Sequence, residues 1–193
     1  MRTKTVTVTL ILGLGSLFGA LATQAYEAKP AANAARSDAD LIKSAMRAAP
    51  PGVAKNATIV DMGADGKMRT LRKGTNGFTC MAGKPNTQGL DSMCMDANAM
   101  EWASAWMAHM PPPAGKFGFM YMLAGDAGAS NTDPSATGPT PTNHFIKTGS
   151  HVMVVGGDAK MLDSYPKGAD PDVTAPYVMW PGTQYQHLML PVK

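Results

Sequence analysis

The chain has 193 residues, about the length of one domain, with 45% hydrophobic and only 16% charged residues. That balance excludes a charge-rich disordered chain, which needs low hydrophobicity and high net charge. The formal net charge is only +3, and nothing resembles the clustered basic footprint of a nucleic-acid-binding protein. Sixteen methionines are the unusual feature of the composition.

Arg2 and Lys4 form a basic start, and Val6 to Ala22 is uncharged and mostly apolar. Small residues follow at Ala20, Ala22, Thr23 and Ala25. This is the three-part layout of a secretory signal peptide, residues 1–25, cut after Ala25 or, as a rival, after Ala22. The apolar run is interrupted by Gly13, Gly15 and Gly19. It is short for a spanning helix, which needs about 20 residues. The first cysteine is Cys80, so a lipid anchor at the cleavage site is not expected. Loss of Arg2 and Lys4 leaves basic and acidic residues nearly equal in number. The expected product is a periplasmic or extracellular protein with no stable membrane anchor and no steering toward polyanions.

Residues 26–36 are Ala-rich with Pro30 and read as a flexible lead-in; residues 37–193 read as one domain. Ser37 and Asp38 can cap a short helix through Ala48, with Leu41, Ile42, Ala45 and Met46 as its apolar stripe. Pro50-Pro51 stops it. Ala57 to Met62 and Lys67 to Lys73 read as two strands joined by Gly63-Ala64-Asp65-Gly66, a hairpin signal. Gly77 to Met81 is a third short strand.

Cys80 and Cys94 are the only cysteines. In an exported chain they are best read as one disulfide. Turn residues from Ala82 to Gly89 separate them, and closing a loop of about 15 residues contributes roughly 3 kcal/mol. A thiolate nucleophile or metal ligand is the alternative, but neither C-x-x-C nor C-x-x-C-H occurs.

Asp96 opens the longest expected helix. Met100, Ala103, Met107 and Met110 form one stripe at 100° per residue, and Trp102, Trp106 and His109 form the next. Trp106 and Met107 are expected inside, Glu101 and Ser104 outside. Pro111-Pro112-Pro113 ends the helix. Lys116 to Leu123 is a strand with Met120 and Met122 on one face. Ala124 to Asn143 is a long polar loop, which in a small domain is usually functional or mobile. Phe145 to Val155, Tyr177 to Trp180 and Tyr185 to Val192 return to strand character, with a helical turn or two at Asp158 to Ser164. The strands are joined mainly by turns, which favours α+β. The expected fold is a largely antiparallel sheet of about five to six strands, one long amphipathic helix and one or two shorter ones.

Four stretches carry a resemblance: Leu71 to Cys80, Ser130 to Pro134, Gly149 to Met153, and Val178 to Thr183 followed by His187-Leu188-Met189. Together they resemble a family of small exported bacterial proteins without an assigned activity. The resemblance covers roughly Ser44 to Lys193. It implies a bacterial exported protein in which these stretches form one unit, and no activity, ligand or fold.

Two His-x-Met pairs stand out, His151/Met153 and His187/Met189. Residues two apart share a strand face, so each strand presents an imidazole and a thioether together. If the two strands are neighbours in register, the imidazoles lie across from each other near Gly149 and Tyr185. Imidazole with thioether suits copper, and thioether favours Cu(I). Against this, methionine is an ordinary adaptable core residue, and two buried histidines can be structural. Asp126, Ser130, Asn131 and Asp133 supply oxygens for a hard cation such as calcium, or bond their own loop backbone. Asp126 and Asp133 sit on the loop that would form a lid over His151, and Tyr185 is a candidate contact. Catalysis is the weakest class, since G-x-S-x-G is absent and a nucleophile would have to be Ser150 with His187, or Cys80 with His109.

The sequence thus points to an exported binding or interaction module for a small molecule, metal ion or protein. Its expected site is His151, His187, Tyr185, Asp126 and Asp133. A periplasmic copper protein using His151, Met153, His187 and Met189 is the first alternative. A small hydrolase-like enzyme with a His151/His187 site is the second.

Overall fold

The computed structural model describes residues 36–63, 65–84 and 91–192. The expected signal peptide and all but the last residue of the lead-in lie outside the described residues.

Helix α1 (Asp38–Met46) begins where expected, with the Ser37 hydroxyl accepting from the Asp40 amide. The prolines do not simply terminate it. Pro51 occupies the first position of a second short helix, α2 (Pro51–Ala54), where its missing N–H costs nothing and its fixed φ suits the helix. Strands β1 (Thr58–Met62), β2 (Met68–Arg72), β3 (Thr79–Met81) and β4 (Met93–Met95) follow, then α3 (Ala97–Met107) and β5 (Phe117–Met122). The chain continues through β6 (Ala129–Ser130), β7 (Phe145–Ile146), β8 (His151–Gly156), a 3-10 turn at Ala159–Leu162, β9 (Tyr177–Met179) and β10 (His187–Pro191).

Eight strands form one sheet in the order β2-β1-β3-β4-β5-β8-β10-β9, and β6 pairs with β7 separately. Among the described residues only β1 and β3 run parallel; every other pairing is antiparallel. The α+β class holds, but the sheet is larger than the expected five to six strands. The short β4 carried no strand signal in three residues. The expected strand Phe145 to Val155 is two strands, interrupted where Gly149 takes φ +81°.

The expected long helix is also corrected: the described helices have 9, 4 and 11 residues. Trp102 and Ala103 are buried while Glu101 and Ser104 are exposed. Trp106 is only partly buried, and Met107 and Met110 are 46% and 59% exposed. Gly118 accounts for this burial pattern. A Cβ there would sit 2.3 Å from the Ala99 nitrogen, so the helix comes close to the sheet along Ala99, Trp102 and Ala103. That contact line leaves Met107 on the outer side.

The two sheet faces differ. One holds Ile59, Cys80 and Cys94 against Leu41, Ala45 and Ala54 of the short helices, with Val178 and Leu188 against Leu162 further along. The other face is packed against α3 and is made largely of methionine. Register aligns it in rows across the strands. Met95, Met120, Met153 and Met189 are consecutive cross-strand partners on β4, β5, β8 and β10.

Cys80 and Cys94 are direct cross-strand partners on β3 and β4, bonded as a disulfide with Cα atoms 3.9 Å apart and no solvent exposure. A disulfide suits an oxidising, exported environment, and no described helix is long and apolar enough to cross a membrane. Replacing both cysteines with alanine is expected to lower stability by about 2–4 kcal/mol, read as a shift of the urea midpoint. A loss below about 0.5 kcal/mol would mean that strand pairing alone holds this edge.

Candidate functional site

The methionine face does not close fully against α3. It leaves a cavity of about 100 Å³. Its floor is Met93, Met120, Met122, Met153, Met179 and Met189. Three indoles form a wall, with Trp102 and Trp180 nearly parallel at 6.2 Å and Trp106 against both. His151, His187, Asp91 and Asp126 supply the polar groups.

His187 opens β10 and is fully buried. Its Nδ1 lies 2.9 Å from the Tyr185 carbonyl, so Nδ1 carries the proton and Nε2 presents a lone pair. That Nε2 is buried and without a hydrogen-bond partner. Burial pushes the His187 pKa down to about 4, so the ring is neutral at physiological pH. The imidazole meets Trp102 and Trp180 edge to face, with centroids 5.3 and 5.0 Å away.

Trp180 is held in a left-handed conformation, φ 55°, which costs a non-glycine residue of order 1–3 kcal/mol. Its surroundings impose it. The indole Nε1 donates to the Ser130 carbonyl, the backbone amide donates to Asn131, and the Thr183 hydroxyl donates to its carbonyl. The strained backbone sets this indole beside His187.

His151 opens β8 with the same tautomer, Nδ1 lying 2.7 Å from the Gly149 carbonyl. Burial lowers its pKa, opposed by the charges of Asp126 and Asp91. Asp126 Oδ2 is 3.7 Å from Nδ1 and accepts from the Thr148 amide at 3.2 Å. Asp126 Oδ1 is buried without a partner. Asp91 accepts from the Ala127 amide, and burial raises its pKa. Asp91, inside the loop closed by Cys80 and Cys94, belongs to no sequence motif and is not among the expected site residues. The hydroxyls of Thr148 and Tyr177 bond each other at 2.6 Å, and burial raises Tyr177 to about 12.

The His-x-Met strands are neighbours, as the pattern requires, and all four residues line the one cavity. The expected register is corrected. Met153 faces Met189, while His151 faces Pro191. Strand rise and spacing then put the two histidine Cα atoms about 14 Å apart, diagonally across the methionine pair. An antiparallel pair with its centre between two methionines places the imidazoles at opposite ends. The partner facing His187 is instead Met179 on β9, which pattern reading had not included.

Two expected site residues lie elsewhere. Tyr185 donates its hydroxyl to the Met110 carbonyl and packs edge-on against Trp102, outside the cavity wall. Asp133 accepts from the Ser135 amide and lies at a separate surface depression with Thr132 and Asn143. The expected lid is tied down rather than free at its centre. Ser130 donates to the Asn143 carbonyl and accepts two amides, and the Asn131 side chain bonds the Gly168 and Ala169 carbonyls. These side chains satisfy loop backbone and do not converge as a calcium cage. Among the described residues no group of three His, Cys, Asp or Glu side chains is placed to hold a metal. Ser150 donates to the Leu123 carbonyl, and the cavity wall carries neither serine nor cysteine. The chain matches no known protein family, no curated protein and no solved structure.

Proposed function

We propose that the protein is an exported binding module whose ligand occupies the methionine-floored cavity. One observation carries this reading. Three buried polar atoms without partners, Trp102 Nε1, Asp126 Oδ1 and His187 Nε2, belong to residues lining the same cavity. Each unpaired atom costs about 1–3 kcal/mol, and buried polar groups are ordinarily paired. A bound species removes that cost.

Size limits the species. Drug-sized ligands need pockets of about 300–1,000 Å³, and an engineered cavity of about 150 Å³ holds one benzene. At about 100 Å³ this site takes an ion or a molecule of a few atoms. Among the described residues the wall's only hydroxyl belongs to Thr148, which gives the hydrolase-like alternative little support.

Methionine methyl groups provide the test. The protein is labelled with methyl-¹³C methionine and mixed with the low-mass fraction of a bacterial periplasmic extract. The methyls of Met120, Met153, Met179 and Met189 are expected to shift, while those of exposed Met68 and Met161 stay in place. No shift at the cavity methyls would overturn the reading.

A further inference from the structure

We propose that the ligand is a single Cu(I) ion held by His187 Nε2 and the thioethers of Met179 and Met189, with the Trp102 and Trp180 indoles shielding it from water. This rests on the binding reading above and names the ligand for it. It departs from a four-residue site because the register sets His151 opposite Pro191, at the far end of the strand pair from His187, while Met153 stands opposite Met189 and only diagonal to His187.

The placement comes from the sheet. Met179 is the direct cross-strand partner of His187. Met189 lies two residues beyond His187 on the same strand, hence on the same face. All three side chains line one cavity. The imidazole is arranged as metal-binding histidines usually are, with its second nitrogen donating to a backbone carbonyl. Here that carbonyl is Tyr185. The other nitrogen is the buried one without a partner.

Charge and softness choose the ion. The three ligand atoms are neutral, and the carboxylates that line the cavity, Asp91 and Asp126, act at the His151 end. Burying an ion costs more as the square of its charge, so a site of three neutral ligand atoms favours a monovalent ion. Neutral thioether and imidazole suit soft Cu(I) over Zn²⁺ or Ca²⁺. Flanking indoles favour a cation further. Binding changes no oxidation state: Cu(I) enters as Cu(I) and leaves no proton behind, since Nε2 is already unprotonated.

The test uses the full mature chain under anaerobic, reducing conditions, with Cu(I) delivered from a chromogenic chelator. One equivalent is expected to bind, to shift the methyls of Met179 and Met189, and to quench tryptophan fluorescence. His187→Ala is expected to weaken binding by at least about 100-fold, more than losing an outer-sphere partner does. Should His187→Ala fail to fold, the near-isosteric Met179→Leu/Met189→Leu pair decides, with the same direction of change expected. His109→Ala, an exposed histidine away from the cavity, is expected to leave affinity within about twofold. Absence of Cu(I) binding, unchanged affinity in the leucine pair, or a loss in His109→Ala equal to that of His187→Ala would each overturn the inference. If Cu(I) moves no cavity methyl but a chelator-treated periplasmic fraction does, copper fails and the binding reading stands. If neither does, both fail.

Discussion

Trp102→Ala is expected to lower the free energy of unfolding by about 3–5 kcal/mol, the range for deleting a large buried aromatic. Trp102 is 3% exposed. It sits at the centre of the aromatic cluster, within 6.4 Å of the rings of Trp106, Trp180, Tyr185 and His187. Removing it opens a void between α3 and the methionine face that flexible thioethers fill only in part. The deletion also removes an unpaired buried Nε1, which places the expected loss at the lower end of that range. Trp102→Phe retains most of the ring packing without that orphan donor, so its cost is expected to be well under half that of alanine. Urea unfolding reads both as shifts of the midpoint at unchanged slope. A loss below about 1 kcal/mol in Trp102→Ala would show that the indole wall is not part of the core.

Acidification is the second large effect. The His187 pKa is about 4 in the folded chain because the ring is buried, against about 6.5 when unfolded. Between these values the unfolded chain binds a proton that the folded chain refuses, so stability rises with pH. The contribution is fully present above pH 6.5 and is lost as pH falls toward 4. At about 1.4 kcal/mol per unit, the loss reaches roughly 3 kcal/mol. His151, also lowered by burial, adds in the same direction. Asp91, raised by burial, acts oppositely from its ordinary carboxylate range upward. Urea titrations at pH 7 and pH 5 are expected to show about 2 kcal/mol lost from the wild-type through His187 alone. His187→Leu removes that part of the slope. Equal slopes in the two proteins would contradict a buried neutral imidazole.

Fold and site were legible to different depths. Local chemistry was readable wherever it was strong. The Ser37 cap, the Asp96 cap, the Cys80–Cys94 bridge and most strand positions depend on residues near in sequence, and the structure keeps them. The face shared by His187 and Met189 follows from the two-residue strand period and also held. Short elements were not readable: β4 has three residues and β6 two, too few for any period to register. The burial of α3 was misjudged for a different reason. A wide apolar arc offers several possible contact lines, and Gly118 on a distant strand selects one.

Legible in the residues alone were the α+β class, the Cys80–Cys94 bridge as the favoured reading, and the alternation that sets Met120 with Met122 and His187 with Met189 on one strand face. Tertiary structure alone decided which of these groups meet. Register belongs to a pair of strands rather than to either segment, whether they are far apart in the chain, as β8 and β10 are, or consecutive, as β9 and β10 are. It put Met153 against Met189, separated the two imidazoles, and brought Met179 to His187. Burial likewise belongs to the assembled layers. Only when α3 and Trp180 cover the sheet does His187 lose water, stay neutral, and hold out an unshared lone pair.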